Sequence, residues 1–253
     1  MRHIVSRANP LVCHFRRLCR DSAYRRERGL FLCEGKKLFY EAVKTGANIS
    51  DVLATPDFFG DNADAFSGME AVTVTPELLK HICDTVTPPE VAFVCQMPDA
   101  ESGARLASGV YLILDGVQDP GNVGTMIRCA DAFGLSRVFL LPGCADVYAP
   151  KVIRSTMGAV FRVALERTGW DSLRARLCEA GIPAAAAVLS KDAVPVSPAE
   201  CCAVVIGSEA RGVSEDILAD CEKRVIIPMR GHAESLNAAM AASIILYEMT
   251  RGG

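Results

Sequence analysis

From Val110 to the end of the chain, short apolar runs alternate with helical pieces, and that alternation constrains the fold more than any other feature. Val110–Leu114, Arg137–Leu141, Phe161–Ala164, Ala184–Leu189, Ala203–Ile206 and Val225–Ile227 read as strands. Between and after them, Val123–Phe133, the stretch around Val152–Met157, Trp170–Ala180, Glu215–Ala219 and Leu236–Met249 read as helices. The strands are apolar along their length rather than alternating in polarity. Strands of that kind are buried on both faces, so the expectation is a parallel sheet with helices on either side. Ligands of such sheets bind beyond the carboxyl ends of the strands. The loops that follow strands are therefore where chemistry is expected.

The last strand and helix carry a second constraint. Val225-Ile226-Ile227 is ended by Pro228, which cannot donate in a ladder. A polar loop, Met229 to Glu234, then leads to Ser235, which is placed to cap the helix. From Leu236 to Met249 only Asn237, Ser243 and Glu248 interrupt an otherwise apolar helix. A helix that is apolar all round is buried on more than one side. Its inner face needs the sheet, and its outer face needs a further partner.

The first part of the chain has its own periodicity. Helices are expected at Leu11–Arg20, Asp21–Arg28, Glu34–Thr45 and Pro76–Cys83, and strands at Leu30–Cys33, Val52–Ala54, Ala71–Thr75 and Val91–Cys95. This is a small α/β unit, and 253 residues leave room for two domains. Met97–Ala107 is the most linker-like stretch, so the expected division is a domain over 1–97, a linker over 98–108 and a second domain over 109–253.

Charge is unevenly spread. Residues 1–46 hold 11 Lys/Arg against 4 Asp/Glu, while the rest of the chain holds 16 against 26. A basic arm on an acidic body suits contact with a phosphate backbone, and a solvated arginine-rich helix face has the same composition. The 11 cysteines include no C-x-x-C pair and sit mostly within apolar runs, which points to free thiols in a reducing compartment. No window approaches the ~20 apolar residues of a membrane span. The start lacks a secretory h-region, so a cytoplasmic protein is expected, with a mitochondrial one as the alternative that an arginine-rich start leaves open. The four histidines, His3, His14, His81 and His232, have no metal-ligand spacing, so no metal is expected.

Three loops after strands stand out. The first, Asp115 to Gly124, has Pro120 and Gly121 at a sharp turn, Asn122 at the expected helix cap and Arg128 in the following helix. The second runs from Gly207 to Ser214, with Gly207 permitting close approach to a ligand and Glu209 placing a carboxylate at the strand's end. The third holds Ser235 and Asn237. No strand is followed by G-x-G-x-x-G, and there is no Walker sequence, which argues against dinucleotide and P-loop nucleotide sites.

Taken together, Asn122-x-Gly-x-x-x-Arg128, Ile206-Gly-x-Glu209-x-x-Gly212, and Ile227-Pro228-Met229 with Ser235-Leu236-Asn237 resemble the three motifs of the SpoU/TrmH RNA ribose 2′-O-methyltransferases, in their order. Ser6-x-x-Asn9-Pro10 and Gly29-x-Phe31-x-x-Glu34-Gly35 are similar to that family's ribosomal-protein-like substrate-binding domain. The resemblance implies a trefoil-knotted parallel sheet, S-adenosylmethionine as methyl donor, a homodimer and an RNA substrate. Ribosomal RNA is favoured by the appended domain, with tRNA as the alternative. A non-catalytic RNA-binding or ribosome-assembly factor of the same fold is a further one.

By the same resemblance, Asn122, Arg128, Glu209, Ser235 and Asn237 are catalytic-site positions, and Gly207, Ile227, Met229 and Leu236 hold the donor. Arg154-Ser155-x-x-Gly158 would add a backbone or RNA contact beneath it. Methyl transfer to a hydroxyl needs positioning and removal of a proton rather than a metal. The arginine is the family's proposed base, yet guanidinium keeps its proton to a pH above ~12. Stabilisation of the forming alkoxide is the role that suits Arg128 better.

Overall fold

A computed structural model describes residues 2–98, 103, 105–135, 137–198, 201–232 and 234–251. In chain order the elements are β1 (His3–Ile4), α1 (Pro10–Arg20), α2 (Ser22–Arg28), β2 (Leu30–Glu34), α3 (Lys36–Thr45), β3 (Ile49–Ala54), α4 (Pro56–Asp61), β4 (Ala71–Val74), α5 (Pro76–Ile82) and β5 (Val91–Gln96). There follow β6 (Val110–Asp115), α6 (Pro120–Ala132), β7 (Arg137–Leu140), α7 (Pro150–Thr156), β8 (Ala164–Arg167), α8 (Trp170–Ala180), β9 (Ala184–Ala187), β10 (Val194–Pro195), β11 (Cys202–Gly207), α9 (Glu215–Asp220), β12 (Lys223–Ile226) and α10 (Ala238–Thr250). They form two compact units: residues 1–98 with Asp146–Arg162, and residues 99–145 with 163–253. Of the expected linker, residues 99–102 and 104 lie outside the described residues.

The first unit is built on a five-stranded sheet of order β1-β4-β3-β5-β2, in which β5 runs antiparallel to both neighbours. Asn9 caps α1 by accepting from the Leu11 amide at 2.9 Å, and Pro10 occupies its first turn, where no donor is lost. Val12, Phe15 and Leu18 face inward from α1 onto Leu32, Leu53 and Val94 of the sheet. On the other side Phe39 stacks on Phe66 at 5.0 Å and meets Phe93 edge-on at 5.5 Å.

The segment Asp146–Arg162, between β7 and β8, is fastened within this unit by three ion pairs. Arg25, 3 % exposed, donates to Asp146 at 2.6 Å and also to the carbonyl of Leu18 at 2.7 Å. Arg154 pairs with the buried carboxylate of Glu34, and Arg162 with Glu41 at 2.6 Å. Phe31 packs on Tyr148 with ring centroids 4.8 Å apart. Phe31 and Glu34 of the Gly29–Gly35 motif thus have local packing duties.

Arg154 and Gly158, expected to add a contact beneath the donor, are both engaged within this unit. Arg154 is spent on Glu34, and a Cβ on Gly158 would lie 3.0 Å from Glu41. The strand expected at Phe161–Ala164 also begins later. Met157 (φ 52°) and Gly158 (φ 96°) turn the chain left-handed after α7, and a short 3₁₀ turn at Ala159–Phe161 intervenes before β8.

The second unit is a seven-stranded sheet of order β10-β12-β9-β11-β6-β7-β8, parallel throughout as the apolar strands require. On one face Tyr111, Ile113, Phe139 and Val205 are buried under Leu173 and Leu177 of α8 and Ile217 of α9. Helix α10 lies alongside α6, joined by a Cys129 Sγ–Ser243 Oγ contact of 2.9 Å and by Phe133 and Tyr247, 6.1 Å apart. Pro195 sits in β10 at the sheet's edge, where a strand tolerates a missing donor.

Candidate active site

Three neighbouring parallel strands, β12, β9 and β11, end side by side, and their carboxyl ends open into a cavity of about 680 Å³. Its walls are largely apolar, with Ile206, Leu218, Val225, Ile227 and Ile245 among them. Gly207, Ile227, Met229 and Leu236, all expected to hold a donor, line it. Glu209, Ser235 and Asn237 line it as well. Among the described residues Glu209 is its single carboxylate, accompanied by the cations Arg211 and Arg224.

The loop after β11 owes its shape to Gly207. A Cβ there would lie 2.0 Å from the carbonyl carbon of Gly212 and 2.2 Å from the amide nitrogen of Val213. The returning backbone therefore occupies the space that any side chain would need. Glycine is required for the loop to close on itself, a reason different from the expected approach of a ligand. The closure is completed by Gly212 N donating to Ser208 O at 2.8 Å and by Arg211 N donating to Ser208 Oγ at 3.3 Å. Asp115, at the end of β6, accepts from both the amide and the hydroxyl of Ser214 at 2.8 Å, tying this loop to the neighbouring strand. Glu209 is left exposed at the loop's tip.

The loop after β6 delivers Asn122. The cap of α6 is Asp119, not Asn122: its Oδ1 accepts the Asn122 amide at 2.8 Å, and Pro120 takes the first turn. The helix thus begins earlier than the apolar pattern suggests, which frees the Asn122 side chain. Its Nδ2 donates to Glu209 Oε1, and its Oδ1 accepts from Asn237 Nδ2 at 3.1 Å. Three polar residues from three loops form one hydrogen-bonded chain at the cavity's rim.

Helix α10 likewise differs from expectation at its start. Asn237, not Ser235, is its cap, accepting from the amides of Ala239 at 2.9 Å and Met240 at 3.3 Å. Ser235 lies two residues before the cap, exposed and facing the cavity. An asparagine caps as well as a serine, so the two positions were not separable by residue type.

Arg128 is not drawn into this constellation. It lies on the exposed side of α6, six residues and so about 9 Å of axial rise beyond Asn122. Among the described residues it makes no hydrogen bond or ion pair. Its long side chain is uncommitted.

One wall of the cavity escaped sequence reasoning. Leu189 and Ser190, just beyond β9, line it, and Leu189 is 64 % exposed. Ser190 donates to Asp192, which also pairs with Arg224 at 2.6 Å. The available signal was the strand order. Once β9 is placed between β11 and β12, its carboxyl end must face the same crevice.

An apolar slot with a few convergent polar groups suits a flat, partly polar ligand of nucleoside size. Among the described residues no three His, Cys, Asp or Glu side chains gather as a metal site would need.

Known proteins share this architecture. Residues 109–247 match the family described as SpoU rRNA Methylase, and residues 9–92 match the MRM3-like substrate binding domain. The chain is 32% identical to the 23S rRNA (guanosine(2553)-2′-O)-methyltransferase RlmP of Bacillus subtilis, covering 98% of this chain and 99% of that one. It is 32% identical to the mitochondrial rRNA methyltransferase 3A of Danio rerio over 92% of this chain and 66% of that one. The crystal structure of an AdoMet-bound rRNA methyltransferase from Sinorhizobium meliloti superimposes with a TM-score of 0.87 at 27% identity, covering 99% of this chain and 98% of that chain. The parallel domain matches the knotted architecture of these enzymes, with a substrate-binding domain before it. The chain belongs to the SpoU rRNA methylase family, within the SpoU/TrmH group of RNA methyltransferases.

Proposed function

We propose that the protein transfers the methyl group of S-adenosylmethionine to the 2′-hydroxyl of a ribose in structured RNA, ribosomal RNA before tRNA. The observation that carries this reading is the chain Asn237–Asn122–Glu209 at the rim of a cavity formed where β9, β11 and β12 end. The cavity's residues fit the donor: apolar walls suit an adenine ring, Glu209 suits the sulfonium charge, and Arg211 and Arg224 suit the donor's own carboxylate. Gly207, Ile227, Met229 and Leu236 would hold it, with Leu189 closing the wall beyond β9. Bound there, S-adenosylmethionine supplies an electrophilic methyl group.

The chain's own residues do the rest. Glu209 fixes the Asn122 carboxamide by accepting from its nitrogen, and Asn237 holds the other end of the same amide. A network whose members are all engaged is rigid, and rigidity is what positions a hydroxyl for in-line attack. Ser235, free of capping, adds a hydroxyl facing the same space. Arg128 brings an unpaired cation that stabilises the alkoxide as the 2′-hydroxyl proton passes to bulk water, and it orients the neighbouring phosphate.

The domain over 1–97 contacts RNA, the linker spans 98–108, and 109–253 carries the chemistry. The working unit is a homodimer. Met240, Ile244 and Tyr247 form one exposed apolar stripe along α10, spaced as residues of a single helix face, and Arg128 lies on the helix beside it. Eleven free cysteines fit a reducing compartment, and the cytoplasm is the one we favour.

The test is methyl transfer from labelled S-adenosylmethionine to purified ribosomal RNA and, separately, tRNA, followed by mapping of the labelled ribose. Label at a 2′-oxygen of ribosomal RNA is expected. Absence of donor binding by calorimetry at millimolar donor would overturn the reading.

A further inference from the structure

Helix α1 turns an uncompensated row of cations outward. Its inner face is apolar, and its outer face carries Arg16 and Arg20, one turn apart, with Arg7 in the preceding loop. Several arginines of this unit are matched to carboxylates: Arg17 to Asp21, Arg25 to Asp146, Arg154 to Glu34 and Arg162 to Glu41. Arg7, Arg16 and Arg20 have no carboxylate partner among the described residues.

Arg16 is instead directed at another base. Its Nη1 lies 2.7 Å from Nε2 of His81 on α5, the helix packed against α1. A guanidinium only donates, so Nε2 must accept and the imidazole must be neutral. Partial burial, and then the charges of Arg16, Arg7 and Arg20, hold the His81 pKa below its usual 6.5. The acids on and beside α5 do not relieve this. Glu77, one turn before His81, is turned back on its own amide and the Thr75 hydroxyl, and Asp84 lies by Cys19. Lys80 adds a further positive charge on the same helix.

We propose that Arg7, Arg16, Arg20 and His81 form a seat for the phosphodiester backbone of the RNA substrate. Three guanidinium charges gathered about a neutral imidazole without an anion leave repulsion that a phosphate would remove, and guanidinium forks match its oxygens. Arg16 and Arg20 are about 6 Å apart along α1, so the seat extends along a line, as a strand's backbone does. An incoming phosphate raises the His81 pKa, so the imidazole takes up a proton and donates. Binding then tightens as pH falls towards the lowered pKa of the free imidazole. The proposal rests on the reading of the protein as an RNA methyltransferase.

The experiment measures retention of purified ribosomal RNA by the full chain across a series of KCl concentrations, with polyglutamate as a polyanion lacking phosphate. Replacing both Arg16 and Arg20 by Gln is expected to weaken binding by about tenfold or more and to flatten the salt slope by roughly 1.4, the loss for two contacts to a single strand. Arg17→Gln, which removes an arginine already paired with Asp21, is expected to change it far less. His81→Gln should abolish the tightening at low pH. Donor binding by calorimetry should be the same in every variant. Wild-type affinity and salt slope in the double variant, with ribosomal RNA still bound, would overturn the seat and leave the methyltransferase reading intact. Equal losses on polyglutamate would overturn the phosphodiester assignment. Failure of the wild type to bind either ribosomal RNA or donor would instead overturn the reading beneath it.

Discussion

Asn237 donates from Nδ2 to Oδ1 of Asn122 at 3.1 Å, while its own Oδ1 accepts the Ala239 and Met240 amides that open α10. One side chain therefore serves both the helix and the proposed site, and the two duties are separable. Asn237→Asp keeps the accepting oxygen and adds a charge that favours a helix N-terminus. It loses the donor, and its carboxylate competes with Glu209 for the Asn122 amide. Stability is expected to stay within about 0.5 kcal/mol of wild type while methyl transfer falls by about tenfold or more. Asn237→Ala should lose the same activity and about 1 kcal/mol of stability besides. Denaturant unfolding and initial rates on the same preparations distinguish these outcomes.

Gly207 gives a prediction about donor affinity. The atoms that an alanine methyl would strike, Gly212 C at 2.0 Å and Val213 N at 2.2 Å, are backbone and cannot rotate away. Gly207→Ala should open the loop, cost about 1–3 kcal/mol of stability and weaken S-adenosylmethionine binding by about tenfold or more. Gly212 has a left-handed φ of 69° but open space around it. Asparagine tolerates that conformation, so Gly212→Asn should bind donor nearly as wild type does. Calorimetry on both variants would show whether shape at Gly207, rather than glycine content of the loop, is what matters.

The parallel sheet and the loops worth searching were legible because buried strands write themselves as unbroken apolar runs. The cap positions were less so. Ser235 and Asn237 are both good caps two residues apart, Asp119 and Asn122 are both good caps three residues apart across Pro120, and only the helix registers decide between them. The place of Arg154 was not legible at all. Its partner Glu34 lies 120 residues earlier, and nothing local records a pairing made by tertiary packing. Leu189 and Ser190 were hidden for a similar reason: strand order is a long-range property.

That long-range pairing has its own consequence. The side chain of Glu34 is 2 % exposed, and Arg154, 32 % exposed, is the cation placed against it. Removing the arginine leaves a carboxylate in the interior beside Cys83, whose thiol burial and Glu34 already push far above its usual range. Arg154→Ala is expected to destabilise the protein by about 3 kcal/mol, the scale for breaking a buried pair from one side. Glu34→Gln, which removes the charge but keeps the shape, should cost less. Urea unfolding of the two variants tests the order.

His14 predicts how stability responds to acid. Its Nδ1 lies 2.9 Å from the Tyr24 hydroxyl, and burial holds its pKa below the usual 6.5, with Asp51 opposing and Arg28 assisting. A depressed histidine binds its proton more readily when unfolded, so its contribution is present above 6.5 and is lost as pH falls from there towards the folded value. Unfolding free energy should therefore decline on acidification through that window. His14→Gln, which has no charge to gain, should decline less steeply than wild type, and equal slopes would remove His14 from the account.

The outer face of α10 carries the last prediction. Met240 is 57 % exposed, Tyr247 54 % and Ile244 37 %, and the three recur at helical spacing on one side of a helix whose other faces are buried. Met240 and Tyr247 leave apolar surface in water, even though Tyr247 also meets Phe133 of the same unit. A second copy of the same helix would cover them, because a two-fold axis sets a patch against itself. The wild type is expected to sediment as a dimer at micromolar concentration. Ile244→Glu keeps helix propensity and solvent exposure but places like charges across that axis, so it should sediment as a monomer with a thermal midpoint that no longer rises with concentration. A wild-type monomer at micromolar concentration would sink the dimer outright. A dimer unmoved by Ile244→Glu would place its interface elsewhere than on α10.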